Sequence, residues 1–207
     1  SSDLKTDQDW AKAGYVLAAE QFELAKRTAL PALTPKADAP ALKLKKTGGL
    51  ATISNDVVSM TFNTTTSQLV DWKYNDLPVI AYGKGPVSDN FRWIENEAPY
   101  TSKPYNTLEW RYRIVDSNNQ NAVPTIKTTD GGRTYTVTAT RQGLVPTTLT
   151  YTIHADGNVE LNVSLDPTQA QNKSQLRRLG VSMGFDSRYA LMDYTARGPR
   201  ENYSDRC

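Results

Sequence analysis

Between Thr147 and Asp166 the sequence runs TTLTYTIHADGNVELNVSLD, and its strict alternation constrains the fold more than any other stretch. Leu149, Tyr151 and Ile153 alternate with Thr148, Thr150 and Thr152, then Val159, Leu161, Val163 and Leu165 alternate with Glu160, Asn162 and Ser164. A period of two puts every apolar side chain on one face of an extended chain, whereas a helix would scatter them around its circumference. Asp156-Gly157-Asn158 separates the two runs and supplies residues that tolerate the positive φ of a tight hairpin. The pattern therefore predicts an antiparallel pair with one apolar and one wet face. Asp130-Gly131-Gly132 is a second turn of this kind, between runs at Thr125 to Thr129 and Arg133 to Arg141.

Other short runs rich in Thr, Val, Tyr and Ile follow one another with turn residues between them. They are Leu42 to Lys46, Ala51 to Ser54, Val57 to Asn63, Leu69 to Tyr74, Leu108 to Val115 and Leu176 to Asp186. With these strands and no strong helical pattern after residue 41, the expected architecture is all-β, an antiparallel β-sandwich. No internal repeat points to a solenoid or a propeller. Ala29 to Ala41, with Pro31, Pro35 and Pro40, cannot continue a helix and offers little to a core. It reads as a semi-extended linker (29–41) between residues 1–28 and a sandwich domain over 42–207. Before it, WAKAGYVLAAEQFELAKR favours a helix by composition, and Tyr15-Val16-Leu17 with Phe22-Glu23-Leu24 forms the extended alternative.

Charge and rare residues exclude several functions. A net charge of +2 with both signs interspersed gives no footprint for nucleic acid or an anionic membrane. Lys43, Lys45 and Lys46 alternate with Leu42 and Leu44 and read as the solvent face of a strand. No apolar run approaches the roughly 18 residues that span a bilayer. One cysteine, Cys207, allows no internal disulfide, and one histidine, His154, allows no site built on two imidazoles. A zinc site of the usual kind is not expected. His154 itself ends a strand at a hairpin and reads as an exposed turn residue. The N-x-S/T triplets at Asn63, Asn162, Asn172 and Asn202 matter only in a eukaryotic secretory setting.

Two polar segments stand out from the strands. The irregular stretch Ala81 to Thr107 carries Gly83, Gly85, Pro86, Pro99 and Pro104, and a loop of this length in a domain is commonly functional. Its centre is Asp89-Asn90-Phe91-Arg92-Trp93-Ile94-Glu95-Asn96-Glu97. The second segment is Gly198-Pro199-Arg200-Glu201-Asn202-Tyr203-Ser204-Asp205-Arg206, where a Gly-Pro turn leads into a run too polar for a core strand. Of the tryptophans, Trp72 and Trp110 fall inside strand patterns and read as packing residues. Trp93, on the long loop, is the candidate for an aromatic platform facing a ligand, and Trp10 is less suggestive.

The second segment resembles the G-P-x-E-N-Y-x-D-R motif in the C-terminal domain of family 2 β-galactosidases, the part sometimes encoded as a separate small chain. Phe91 and Arg92 match the family's F-R-A-P-x-D-N-D motif directly. Trp93-Ile94 replaces Ala-Pro, one residue is missing, and Glu95-Asn96-Glu97 replaces Asp-Asn-Asp with each acid a methylene longer. The run A-G-x-x-x-A-x-E-Q-F-x-L near the N-terminus is similar to the closing strands of the family's immunoglobulin-like domain, which favours the extended reading of residues 10–27.

The resemblance implies a fold and a role. The fold is an incomplete galactose-mutarotase-like supersandwich preceded by the end of an immunoglobulin-like domain. The role is that of a non-catalytic segment of a retaining β-galactosidase, packed against its TIM-barrel catalytic domain and shaping the active-site rim. Arg92, Trp93, Glu95, Asn96 and Glu97 are the candidates for inter-domain or rim contacts, with a solvated loop as the alternative. Gly198, Pro199, Glu201, Asn202, Tyr203, Asp205 and Arg206 form a motif loop held by its own bonds.

A retaining glycosidase needs two carboxyl groups about 5 Å apart, a spacing that Glu95 and Glu97 could approach. The resemblance assigns the catalytic glutamates to the barrel instead, so no catalytic residue is expected here. It implies no cofactor in this segment, with any Mg or Na use in other domains of the parent. The expected partners are the parent's own barrel, a β-galactoside reached through the whole enzyme, and further copies in a homo-oligomer. The address is a bacterial cytoplasm or periplasm, which the sequence does not distinguish.

Two other classes compete. A stand-alone carbohydrate-binding module would bind galactosides by itself. An aldose mutarotase would need an acid and a base, commonly His with Glu, and a lone hairpin histidine argues against it. Read as a segment of a longer polypeptide, the chain is also expected to leave strand edges unpaired and so to self-associate or be unstable alone.

Overall fold

The computed structural model describes residues 2–18, 33, 36, 38–89, 121–143, 145–169 and 179–191. The chain divides into two compact units, one of them Leu33–Ala190 and the other holding the N-terminal residues. In the N-terminal unit, β1 (Ser2–Asp3) pairs antiparallel with β2 (Val16–Ala18). The extended reading holds at Val16-Leu17, while Phe22-Glu23-Leu24 lies outside the described residues. Trp10 and Tyr15 meet edge to face at 5.6 Å, and both are exposed.

The larger unit is an all-β antiparallel sandwich. One sheet runs in the order β3 (Lys43–Thr47), β4 (Leu50–Ser54), β5 (Val58–Asn63), β6 (Leu69–Tyr74), β7 (Leu77–Pro78). The other has the order β12-β11-β10-β9, from β9 (Thr125–Thr129), β10 (Thr134–Arg141), β11 (Thr147–His154) and β12 (Val159–Leu165). Alternation decides which side chains meet between the sheets. Ile53, Met60, Phe62 and Leu69 on one face Val137, Leu149, Tyr151 and Ile153 on the other, all nearly fully buried. Phe62 and Tyr151 pack edge to face at 5.1 Å across the interface. Each fully buried side chain of this size is worth about 1.5–3 kcal/mol relative to exposure.

On the outer faces, threonines sit opposite threonines. Thr140 and Thr148 hydroxyls are 2.8 Å apart, Thr52 and Thr61 are 3.0 Å apart, and Thr138 donates to Thr150 at 3.3 Å. Such β-branched cross-strand pairs fit the pleat and add a few tenths to about 1 kcal/mol each. The glycine turns form where expected. Asp130, Gly131 and Gly132 all take positive φ between β9 and β10, and Gly157 does so, at 92°, between β11 and β12.

Four expectations are corrected or narrowed. Leu176 to Asp186 is not one strand among its described residues. A two-residue β13 (Val181–Ser182) pairs with β8 (Val87–Ser88), and an isolated bridge joins Ile80 to Phe185. Between them the turn at Ala81 to Lys84 interrupts the ladder, with Ala81 N–H donating to Gly184 C=O and Gly184 N–H to Lys84 C=O. The apolar row of β12 is only partly covered, with Leu161 36% exposed, because β12 is an edge strand. Leu44, expected to point inward, is 37% exposed on the edge strand β3, while Leu42 is buried. His154 is buried, not exposed: the turn closes over it through Ala155 N–H to Arg133 C=O, and its Nε2 lies 3.1 Å from Glu160 Oε1. The predicted strand Leu108 to Val115 lies outside the described residues.

Candidate functional site

One end of the sandwich gathers the polar groups that β-alternation would otherwise exclude from its interior. The hairpin between β5 and β6 begins at Asn63, whose Oδ1 accepts the N–H groups of Thr65 (2.8 Å) and Thr66 (2.9 Å). This side-chain turn leaves Ser67 at positive φ and buried, its N–H donating to Asn63 C=O. Across from it, the inward row of β10 reads Tyr135, Val137, Ala139 and then Arg141. Arginine thus occupies a core-facing position at the end of the sheet, opposite Thr147.

Its guanidinium turns toward the other sheet. Nε donates to Ser67 Oγ and Nη1 to Pro86 C=O, each at 3.4 Å. Nη2 is buried and has no hydrogen-bond partner, and the same is true of the Tyr151 hydroxyl in that inward face. Burial lowers the Arg141 pKa, with the partial negative charge of Tyr151 working the other way. Burial pushes Tyr151 up to about 12, offset in part by the nearby Arg141 charge. Both groups are therefore donors near neutral pH, and neither serves as a base. This end can hold and orient. Among the described residues it carries no proton-transfer pair.

What it holds is the start of the long loop. Ser88 Oγ donates to Thr147 Oγ1 at 2.8 Å, and Thr147 Oγ1 donates in turn to Val145 C=O at 2.9 Å. Gln68 Nε2 reaches Gly83 C=O at 2.9 Å, and Asp89 N–H donates to Gly180 C=O at 2.8 Å. On the far side of the loop, Ala122 N–H donates to Thr65 C=O at 2.9 Å. The chain therefore leaves at Asp89 and returns near Ala122 at the same end of the sandwich.

The residues singled out from sequence do not fall in the described part. Arg92, Trp93, Glu95, Asn96 and Glu97 lie outside it, as do Trp110 and Gly198, Pro199, Glu201, Asn202, Tyr203, Asp205 and Arg206. Trp72 is partly buried against the core, as a packing residue should be. Sequence reading passed over Arg141, Ser67 and Tyr151. The signal for Arg141 was present: counting by twos from Val137 puts a charge in the apolar row. Among the described residues, no three His, Cys, Asp or Glu side chains come together as a metal site.

Fold and site define a β-sandwich module with a polar end, at which the described chain breaks off after Asp89 and resumes before Ala122. Residues 54–207 match the family described as beta galactosidase small chain, and the chain belongs to that family. It is similar to a β-galactosidase of Priestia megaterium, 26% identical over 204 residues, which covers 98% of this chain and 19% of the relative. It is also similar to a β-galactosidase of Vibrio cholerae, 27% identical over 215 residues, covering 98% of this chain and 20% of the relative. The chain thus spans about a fifth of the length of these curated relatives.

Proposed function

We propose that this chain is a non-catalytic segment of a retaining β-galactosidase, packing against the catalytic barrel and shaping the rim of its active site. The observation that carries the reading is the anchoring, at one end of the sandwich, of the described residues on either side of the segment with the F-R-x-x-E-N-E run. Ser88 is tied to Thr147, and Ala122 to Thr65, beside the Arg141 bridge between the sheets. A segment whose two ends are held on a rigid scaffold is well placed to present contact residues. Family membership and the share of the relatives covered support placing the catalytic carboxylates outside this chain. In this reading Arg92, Glu95, Asn96 and Glu97 contact the barrel near the substrate, and the G-P-x-E-N-Y-x-D-R loop is structural.

The test is complementation. The chain is combined with a β-galactosidase polypeptide lacking the matching region, and hydrolysis of a chromogenic β-galactoside is followed. The expected result is no turnover by the chain alone, turnover by the complex, and a loss on Arg92→Ala or Glu97→Gln with the complex still formed. Hydrolysis by the chain alone, or a complex indifferent to these substitutions, would overturn the reading. Galactoside binding by the isolated chain, seen in Trp93 fluorescence, would point instead to a free binding module.

A further inference from the structure

Two Asp-Gly pairs occur in the sequence, Asp130-Gly131 and Asp156-Gly157, and each makes the turn of a hairpin in the same four-stranded sheet. The pair has a chemistry of its own. Glycine has no Cβ to shield its amide nitrogen or to restrict the backbone, so that nitrogen can reach the side-chain carboxyl of the preceding aspartate. The nitrogen attacks Cγ, its proton and the carboxyl's hydroxyl leave as one water, and a succinimide ring closes. Water then reopens the ring. Addition at Cγ restores aspartate. Addition at the α-carbonyl leaves isoaspartate, in which the chain runs through the side-chain carboxyl and the α-carboxyl is free.

The fold treats the two pairs differently. Asp130 and Gly131 are exposed, and a Cβ placed on Gly131 meets open space, so a ring has room to form there. Asp130 is an L-residue held at a φ of 54°, a sparsely populated conformation that closure of the ring can relieve. Its carboxylate is held through Oδ2 by two hydroxyls, Thr134 Oγ1 at 3.1 Å and Thr129 Oγ1 at 3.4 Å. At the other turn both oxygens of Asp156 are taken by Asn158, through its N–H and its amide, at 3.1 Å each. Burial works to raise the Asp156 pKa, but the bonds from Asn158 and the Lys36 N–H, with His154 nearby, hold the carboxyl below the ordinary range. Loss of water needs the neutral acid, so this favours the unreactive form. Gly157 is crowded as well, its Cβ position lying 3.2 Å from Val57 Cγ1 and closer still to the Tyr74 ring.

We infer that Asp130-Gly131 is a site of spontaneous backbone isomerisation to isoaspartate, and that the fold protects Asp156-Gly157 from the same reaction. The product adds one carbon to the backbone of the turn. Gly132 C=O accepts the N–H of buried Leu42 at 2.9 Å, so the longer turn disturbs the entry to β3 in the opposite sheet. The inference stands apart from the galactosidase reading and needs none of its residues.

Ageing of the full 207-residue chain at mildly acidic pH, followed by tryptic digestion, tests it. Peptide 128–133 carries Asp130 and peptide 142–173 carries Asp156. Methyl transfer from S-adenosylmethionine by an isoaspartyl carboxyl methyltransferase marks the new α-carboxyl in each peptide. In the folded chain, peptide 128–133 is expected to accept methyl groups and to split chromatographically into two species of equal mass, with several-fold less conversion in peptide 142–173. In urea the two should convert alike. Asp130→Asn closes the same ring by losing ammonia and should raise the yield in its peptide several-fold, while Asp130→Ser should abolish it and leave Asp156 unchanged. The aged wild type should melt lower than fresh protein, and the aged Asp130→Ser protein should not. No conversion at Asp130, equal conversion at Asp130 and Asp156 in the folded chain, or an Asp130→Asn protein that converts no faster than wild type would each overturn the inference.

Discussion

Arg141 Nε lies 3.4 Å from Ser67 Oγ, so the last inward position of β10 is joined to the β5–β6 hairpin of the opposite sheet through a charge. Both bonds of the guanidinium are long, and Nη2 makes none, so the contact returns little of the cost of burying the charge. Arg141→Met keeps the apolar stem and removes that charge. Its stability should stay within about 1 kcal/mol of wild type in chemical denaturation. Pro86, two residues before Ser88, loses its tie to the guanidinium, so complementation should fall while the melt does not. An equal loss of both would make Arg141 a plain stability residue.

Gly85 should tolerate no side chain. A Cβ there would stand 2.2 Å from Leu69 C=O, a backbone atom inside β6 that cannot move without breaking its ladder. Gly85→Ala is expected to cost about 3 kcal/mol or more, or to prevent folding. Gly131→Ala meets open space and pays only for its positive φ, about 1 kcal/mol. Thermal melts of the two variants check the order.

How far the sequence was legible can be judged from particular residues. The β9–β10 and β11–β12 pairings were readable because alternation and a glycine turn fix which residues face each other, whatever lies elsewhere. What covers each face was not readable, since that depends on elements distant in sequence. The apolar run of β12 looked like core, yet it sits at an edge. His154 looked like a turn residue, yet Arg133 and the turn close over it. The break of the Leu176 to Asp186 run at Gly184 depends on a turn at Ala81 to Lys84, about a hundred residues earlier. The motif residues from Arg92 to Glu97 and from Gly198 to Arg206 were legible as motifs only, and lie outside the described residues. The polar end that holds Pro86, Ser88 and Asp89 came from the structure.

Asn55 should be a costly residue to lose at the other end of the sandwich. Its Nδ2 donates to Pro40 C=O at 2.8 Å and to Ala155 C=O at 2.7 Å, while Oδ1 accepts Val57 and Val58 N–H at 2.9 Å each. One amide thus ties the approach to β3, the β4–β5 turn and the β11–β12 turn. Asn55→Ala is expected to cost about 2–3 kcal/mol, for partly buried bonds worth about 1 kcal/mol apiece. Asn55→Asp keeps the accepting oxygen but turns a carboxylate toward two carbonyls, so it should be as damaging at neutral pH and partly recover in acid, where the group can donate. Urea midpoints at two pH values separate these outcomes.

Tyr151 gives a test at alkaline pH with a definite sign. Its hydroxyl is buried without a partner, so Tyr151→Phe removes an unpaid desolvation and should leave stability at neutral pH unchanged or raise it by up to about 1 kcal/mol. In the folded chain burial holds the proton to about 12, and in the unfolded chain it leaves near the ordinary value of 10.0. The unfolded state thus releases its proton first. The stability tied to the neutral phenol is complete below pH 10 and is lost as pH rises toward 12, by about 2–3 kcal/mol. Wild type should therefore lose stability relative to Tyr151→Phe across that window, and the two should run parallel below it. Denaturation midpoints of both proteins from pH 8 upward measure the gap. A constant gap would mean that the phenol is reached by solvent or by a partner.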